Sequence, residues 1–274
     1  MTNEKITDTK ERFAFGKNWA NFLNNLNDER IAEAVKSFTE KTGLSEMTGL
    51  TFLDVGSGSG LFSLAAYKLG AKVLSFDYDA DSVSCTQYLK KKYCTDDAMW
   101  QVQQGSVLDQ DFLRQFGKVD VLYSWGVLHH TGHMYEAFQN VSNMVKKDGT
   151  LFISIYNDQG TTSSIWKKIK KTYSTSNIVT RILLLAFCSL RLWGPKFVKD
   201  FLRYGNPLKT WCAYKKNRGM SAWHDVVDWV GGYPFEVAKP EEVFNFFTEK
   251  NFQLKYLKTC AGGVGCNEFI FTKK

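Results

Sequence analysis

The run Leu53-Asp54-Val55-Gly56-Ser57-Gly58-Ser59-Gly60-Leu61-Phe62-Ser63 interrupts an apolar, strand-like segment with glycines at alternate positions and resumes as a helix-like segment. Few local structures accommodate that pattern. Glycine takes backbone angles that a Cβ forbids and lets the chain approach a ligand, and a helix that starts there has N–H groups without helical partners. The run therefore predicts a strand, a tight turn and a helix N-terminus. A nucleotide-like cofactor is the natural occupant, with Asp54, Gly56, Ser57, Gly58 and Gly60 around it.

The hydrophobic period switches repeatedly after this point. Strands are predicted at Thr51 to Val55, Lys72 to Phe76, Met99 to Gln104, Val119 to Ser124 and Leu151 to Tyr156. Helices are predicted between them at Leu61 to Lys68, Ala80 to Lys92, around Phe112, and Met134 to Val145, with Lys147-Asp148-Gly149 as a turn into the fifth strand. Strands alternating with helices imply a parallel sheet with right-handed crossovers and helices on both faces. A last helix, Pro240 to Lys250, precedes strands at Phe252 to Lys258 and Glu268 to Thr272, joined by a link containing Gly262, Gly263 and Gly265 that suits an antiparallel pair. The expected class is α/β, a doubly wound, seven-stranded, mainly parallel sheet with its last strand antiparallel. Four parts are expected: an N-terminal helical cap (1–48), a cofactor-binding core (49–158), a helical insertion (159–235) and the C-terminal part of the core (236–274).

In such sheets ligands sit beyond the C-terminal ends of the strands, and further markers fall there. Asp77 closes the second predicted strand, 21 residues after Gly56 and beside Tyr78, where a carboxylate suits the hydroxyls of a ribose. Gly105, Ser106 and Val107 follow the third strand, and Ser124 and Trp125 end the fourth, ahead of His129 and His130. A dinucleotide fingerprint wants G-x-G-x-x-G, but here the third glycine comes one position early and Asp54 stands two residues before the first.

The D-x-G-x-G-x-G form, with Asp77 and the two later segments in order, resembles class I S-adenosylmethionine-dependent methyltransferases, in particular the ubiquinone-biosynthesis O-methyltransferase-like branch. The resemblance implies S-adenosylmethionine as cofactor. It places 105–107 beside the adenine, Ser124 and Trp125 under the methionine part, and Lys17 and Trp19 of the N-terminal layer as closures over the pocket. Trp125-Gly126 stands where the quinone enzymes tend to carry bulkier or acidic residues. Trp19 is equally readable as a packing residue.

Charge is distributed unevenly. From Gln159 to Ala222 there are thirteen lysines and arginines against one acid, Asp200, so this segment carries +12 and the rest of the chain −5 within a total of +7. The same segment holds Trp166, Trp193, Trp211 and Tyr214. A cationic, aromatic insertion suits a small-molecule acceptor of anionic character, or contact with an anionic membrane surface, as well as a plain solvated face. The apolar run Ile178 to Trp193 spans 16 residues and includes Arg181 and Arg191, which reads as too short and too charged to cross a bilayer. Six cysteines form no C-x-x-C pair, and Met1 to Arg12 is polar, so the chain reads as reduced and cytoplasmic, without a metal.

Transfer of a methyl group to a hydroxyl needs alignment, exclusion of water and removal of a proton. Two candidates for the base emerge: His130, and His224 oriented by Asp228 four residues on. A pairing of His129 and His133 on a metal is disfavoured, since Thr131-Gly132 interrupts the helix that would align them. Nucleic-acid methylation is the less favoured alternative, because Ser124-Trp125-Gly126-Val127 occupies the place of an N/D-P-P-Y/F-like motif. A cofactor-binding scaffold docked on membranes is the non-enzymatic one. Oligomeric state is not legible.

Overall fold

A computed structural model describes residues 13, 15–23, 26–218 and 222–274, with the side chains of 17, 18, 20, 21, 215–218 and 224 outside the description. Seven strands, β1 (Thr51–Val55), β2 (Lys72–Asp77), β3 (Trp100–Gln104), β4 (Val119–Trp125), β5 (Val145–Tyr156), β6 (Phe252–Lys258) and β7 (Cys266–Lys273), form one sheet. Its order is β3-β2-β1-β4-β5-β7-β6. The pairs from β3 through β5 are parallel, and β7 runs antiparallel to both β5 and β6. The chain reverses strand order between β1 and β4, which opens a crevice at their C-terminal ends.

Alternation along β1 sends Phe52 to one face of the sheet and Leu53 and Val55 to the other. On the Phe52 face lie α2 (Asp28–Thr42), α3 (Leu61–Lys68) and α4 (Ala80–Tyr93), contributing Phe38, Leu64 and Leu89 to the core. On the opposite face lie α5 (Gln110–Arg114), α6 (Met134–Met144) and α11 (Pro240–Glu249), contributing Leu113, Phe138 and Phe247. The ends of α2 follow from sequence. The Asn27 side chain accepts the Arg30 N–H, and Gly43 at φ +76° donates to the Thr39 carbonyl. A short helix, α1 (Gly16–Leu23), precedes α2 and packs on the start of α4, where the Gly16 N–H donates to Asp79 Oδ2 at 3.0 Å.

One predicted turn is a strand instead. β5 starts at Val145, which pairs with Val119, and the register shifts before Val121 meets Thr150. Asp148 at φ +61° lies within this irregularity, so Lys147-Asp148-Gly149 forms a bulge inside the strand rather than a reversal before it.

The basic segment folds as α7 (Thr161–Thr175), α8 (Ile178–Tyr204), α9 (Lys209–Arg218) and α10 (Ala222–Gly231). These helices share a separate apolar cluster around Trp166, Cys188, Trp193, Val226 and Val230. The 16-residue apolar run lies within a 27-residue helix, and α8 is long and apolar enough by composition to cross a membrane. At 27 residues the helix, unlike the 16-residue run, has the length of a bilayer span. What keeps α8 against the protein is its inner face, where Cys188, Trp193 and Asp200 are buried.

Candidate active site

A cleft of about 1240 Å³ lies across the C-terminal ends of the strands. Its floor begins with the glycine loop, where Gly56, Gly58 and Gly60 take φ of +80°, +55° and +78°. A Cβ at Gly56 would stand 2.5 Å from the Val127 methyls, and one at Gly60 would stand 2.9 Å from Thr86 Cα. The loop is therefore glycine for both torsion and space. Its amides are mostly engaged within the protein. Gly56 and Ser57 N–H donate to the Phe76 carbonyl at 2.9 and 3.1 Å, Gly60 N–H donates to the Ser57 carbonyl at 2.8 Å, and Gly58 N–H donates to Asp77 Oδ2 at 2.9 Å. This loop supplies close approach more than donors, which suits an adenosine without a pyrophosphate better than a dinucleotide.

Asp77 sits at the end of β2, with Oδ1 accepting the Asp79 N–H at 2.9 Å. A carboxylate has about four acceptor sites, so holding the loop leaves it able to accept ribose hydroxyls. Trp19 of α1 covers the loop from outside, with its indole about 3.0 Å from where a Cβ of Gly58 would be. Tyr78, Gly105, Ser106, Val107 and Trp125 also line the cleft.

Asp54 is at the bottom of the cleft, 2% exposed, and Oδ2 accepts the Ser63 hydroxyl at 2.5 Å. Ser63 lies 2.8 Å from Ser75 Oγ, which accepts the Trp100 indole N–H at 3.0 Å. Burial raises the Asp54 carboxyl to about 7, against the lowering effect of the Ser63 bond.

Gly60 and Ser124 differ from their expected places. Gly60 caps α3 and faces Thr86 rather than the cleft. Ser124 is fully buried, its hydroxyl donating to the Val55 carbonyl at 2.9 Å, so it straps β4 to β1 beneath the site. The side chain of Lys17 lies outside the described residues, as does that of His224, although both backbones are helical.

Beyond the glycine loop the cleft continues between β4, β5 and the helical insertion. His130 lines it, 7% exposed, with Nδ1 2.6 Å from the Pro234 carbonyl oxygen. A carbonyl only accepts, so in the neutral ring Nδ1 carries the hydrogen and Nε2 is the basic nitrogen. The chain after α10 is held beside His130 by the Glu236 N–H, which donates to the His129 carbonyl at 2.9 Å, and by Glu236 Oε1, which accepts the Met134 N–H at 3.1 Å. His129 packs 4.5 Å from the His130 ring and is completely buried; burial, together with the charges of His130 and Lys170, holds its pKa well below the usual histidine value. It stays neutral at physiological pH. Among the described residues no group of three His, Cys, Asp or Glu is placed to hold a metal.

Asp228 faces the same cleft, as do Asp225, Tyr214, Trp193 and Lys196. The Tyr214 hydroxyl donates to Asp225 Oδ2 at 2.5 Å. Tyr156, at the end of β5, forms part of the wall, and burial pushes its phenol well above the usual range, so it remains a donor. Tyr156 was recoverable from sequence by the strand-end rule that found Asp77 and Trp125. Trp193, Lys196 and Tyr214 carry no local signal, since the packing of the insertion alone brings them here.

A strand-ended crevice, a glycine loop that offers shape and an acid on the neighbouring strand define an adenosine-binding α/β domain. Residues 23–252 match the family described as a methyltransferase domain, and the chain belongs to that family. Its cofactor is S-adenosylmethionine, and the loop and Asp77 fit that ligand. The ubiquinone biosynthesis O-methyltransferase of Glaesserella parasuis is 29% identical over 109 residues, 40% of this chain and 46% of that protein. The ribosomal protein L11 methyltransferase of Helicobacter hepaticus is 42% identical over 69 residues, 24% of this chain and 21% of that protein. The chain thus spans about half or less of the length of these curated relatives. Among solved structures, a cyclopropane synthase from Mycobacterium tuberculosis superposes with TM-score 0.59 at 12% identity, covering 99% of this chain and 100% of that one. Magnesium protoporphyrin IX methyltransferase from Synechocystis, with bound SAH, gives 0.51 at 12% identity, covering 100% and 90%. These structures share the fold.

Proposed function

We propose that the protein transfers a methyl group from S-adenosylmethionine to a hydroxyl of a small, ring-bearing or polyprenyl acceptor, with His130 as the base. The observation that carries this reading is the hydrogen bond from His130 Nδ1 to the Pro234 carbonyl, which directs basicity to Nε2 inside the cleft. The cofactor supplies a methyl group on a sulfonium centre, already activated for displacement. The chain's own residues then align the acceptor, exclude water and receive its proton. Aromatic walls from Tyr156, Trp193 and Trp229 suit a flat or greasy acceptor. The O-methyltransferase relative supports oxygen as the accepting atom. The reading places the enzyme in the cytoplasm, supported by six cysteines that are all unpaired.

Transfer of labelled methyl from S-adenosylmethionine to acceptors in a lipid-containing extract tests the reading. His130→Ala is expected to lower turnover by about 10²-fold or more while cofactor affinity by calorimetry changes less than about twofold. Unchanged turnover would remove His130 from the chemistry. With turnover unchanged in His130→Ala, a loss of about 10²-fold in Asp228→Asn would assign the base to the His224 and Asp228 pair.

A further inference from the structure

One large surface is unexplained by methyl transfer. Val179, Leu183, Phe187, Leu190, Val198 and Phe201 lie along one side of α8, each 58–69% exposed. Their spacing of three, four and eight residues keeps them on one stripe of a helix about 40 Å long, at 1.5 Å per residue. Isolated apolar residues on a surface are ordinary, but a continuous row of this length marks a contact site.

The opposite side of α8 borders the cleft, through Leu192, Trp193 and Lys196. The helix therefore stands as a partition between the acceptor end of the site and the exterior. It is held in that position at both ends. Arg181 donates to the Tyr173 and Ser174 carbonyls at 2.9 and 2.8 Å, closing the end of α7. Asp200 accepts the Thr210 N–H and hydroxyl at 2.7 and 2.8 Å, anchoring the start of α9.

Charge decides what covers the row. Asp200 is the one acid from Gln159 to Ala222, and it is buried and turned toward α9, so the +12 of this segment has no exposed carboxylate of its own to offset it. Arg191 borders the apolar row and Lys199 lies further round the helix, and both are exposed. A second copy of the chain would bring another strongly cationic insertion against this one. An anionic lipid surface supplies both the apolar layer for the row and the opposite charge for its flanks.

We propose that the exposed face of α8 lies on an anionic bilayer, and that the amphiphilic acceptor passes from the lipid around this helix into the cleft. The acceptor's route rests on the methyl-transfer reading; the docking itself does not. The stripe is shallow and the inner face is packed on protein, so the helix lies in the interface plane.

The test is co-sedimentation of the full chain with vesicles of phosphatidylcholine alone or mixed with phosphatidylglycerol, without cofactor. Retention at least about tenfold greater on the mixed vesicles, reduced by high salt, is expected. The double variant Leu183→Glu/Leu190→Glu is expected to lose that retention by about tenfold, and Arg191→Glu/Lys199→Glu to lose it on the mixed vesicles. Both variants are expected to keep the parent's S-adenosylmethionine affinity, because neither pair lines the cleft, and this confirms folding. Equal retention on both vesicle types, no retention, or retention unaffected by either variant would overturn the docking. So would a dimer in sedimentation that the leucine substitutions dissolve, since a second copy would then own the face. Failure of methyl transfer with intact vesicle binding would count against the enzymatic reading alone.

Discussion

Two aspartates show how the same side chain serves opposite ends at the glycine loop. Asp77 accepts from the Gly58 and Asp79 amides and faces the cleft. Asp77→Ala removes the loop's anchor and, with it, the proposed ribose acceptor. Bonds to a charged group are worth about 1.5–3 kcal/mol, so cofactor affinity is expected to fall about 10- to 100-fold by calorimetry, with the circular dichroism spectrum unchanged. Asp54 is raised from 3.8 to about 7 by burial. The folded chain therefore holds a proton between these values that the unfolded chain has released, and stability falls as pH rises through that window. In the cofactor-free protein this is a penalty of the order of a few kcal/mol by pH 8, at about 1.4 kcal/mol per unit. Asp54→Asn keeps the shape and is expected to flatten the decline in urea melts between pH 5 and 8. An unchanged slope would mean that the carboxyl is already ionised in the fold.

At the scale of elements, α10 carries the cleft-lining acids Asp225 and Asp228 and is fixed by a residue behind it. Lys170 of α7 is fully buried, its Nζ donating to the Trp229 carbonyl and lying 4.3 and 4.8 Å from the Trp229 and Phe235 rings. Burial lowers its pKa from 10.5 to about 7, against the pull of Cys188 and Asp228. Here the unfolded chain binds the extra proton above pH 7, so stability rises with pH from about 7 toward 10.5. Lys170→Met is expected to abolish that rise in urea melts at pH 7 and 9, and to alter the KM for the acceptor before cofactor affinity. The sequence made most of the core legible because each strand keeps a strong period and each helix has a stop such as Gly43. The bulge at Asp148 escaped, since a turn signal and a bulge signal use the same residues. Ser124 was misplaced because the alternation that predicts strand β4 gives burial but does not say whether a buried hydroxyl bonds a ligand or a neighbouring strand. The insertion side of the cleft was least legible: Lys196, Tyr214 and Asp225 meet only through the packing of α8, α9 and α10 around Trp193 and Val226.

For the whole molecule, the cleft draws on the N-terminal helix, the sheet and the insertion at once, so a ligand seated there links all three. Cofactor at about 100 times its dissociation constant is expected to add about 2.7 kcal/mol to stability. For a chain of this size that corresponds to a rise in Tm of about 5–10 °C in thermal scans. A nicotinamide dinucleotide at the same concentration is expected to give none, because the loop amides it needs are already committed; an equal rise with the dinucleotide would reverse the reading of the loop.

Trp19 rests over the turn that a cofactor would occupy, on an eight-residue helix joined to the rest chiefly through α4. With a cofactor seated there, spent nucleoside and fresh donor would pass the same turnstile. Were this indole to gate the cleft, the rate at which it steps aside would cap cycling whatever the speed of the transfer step.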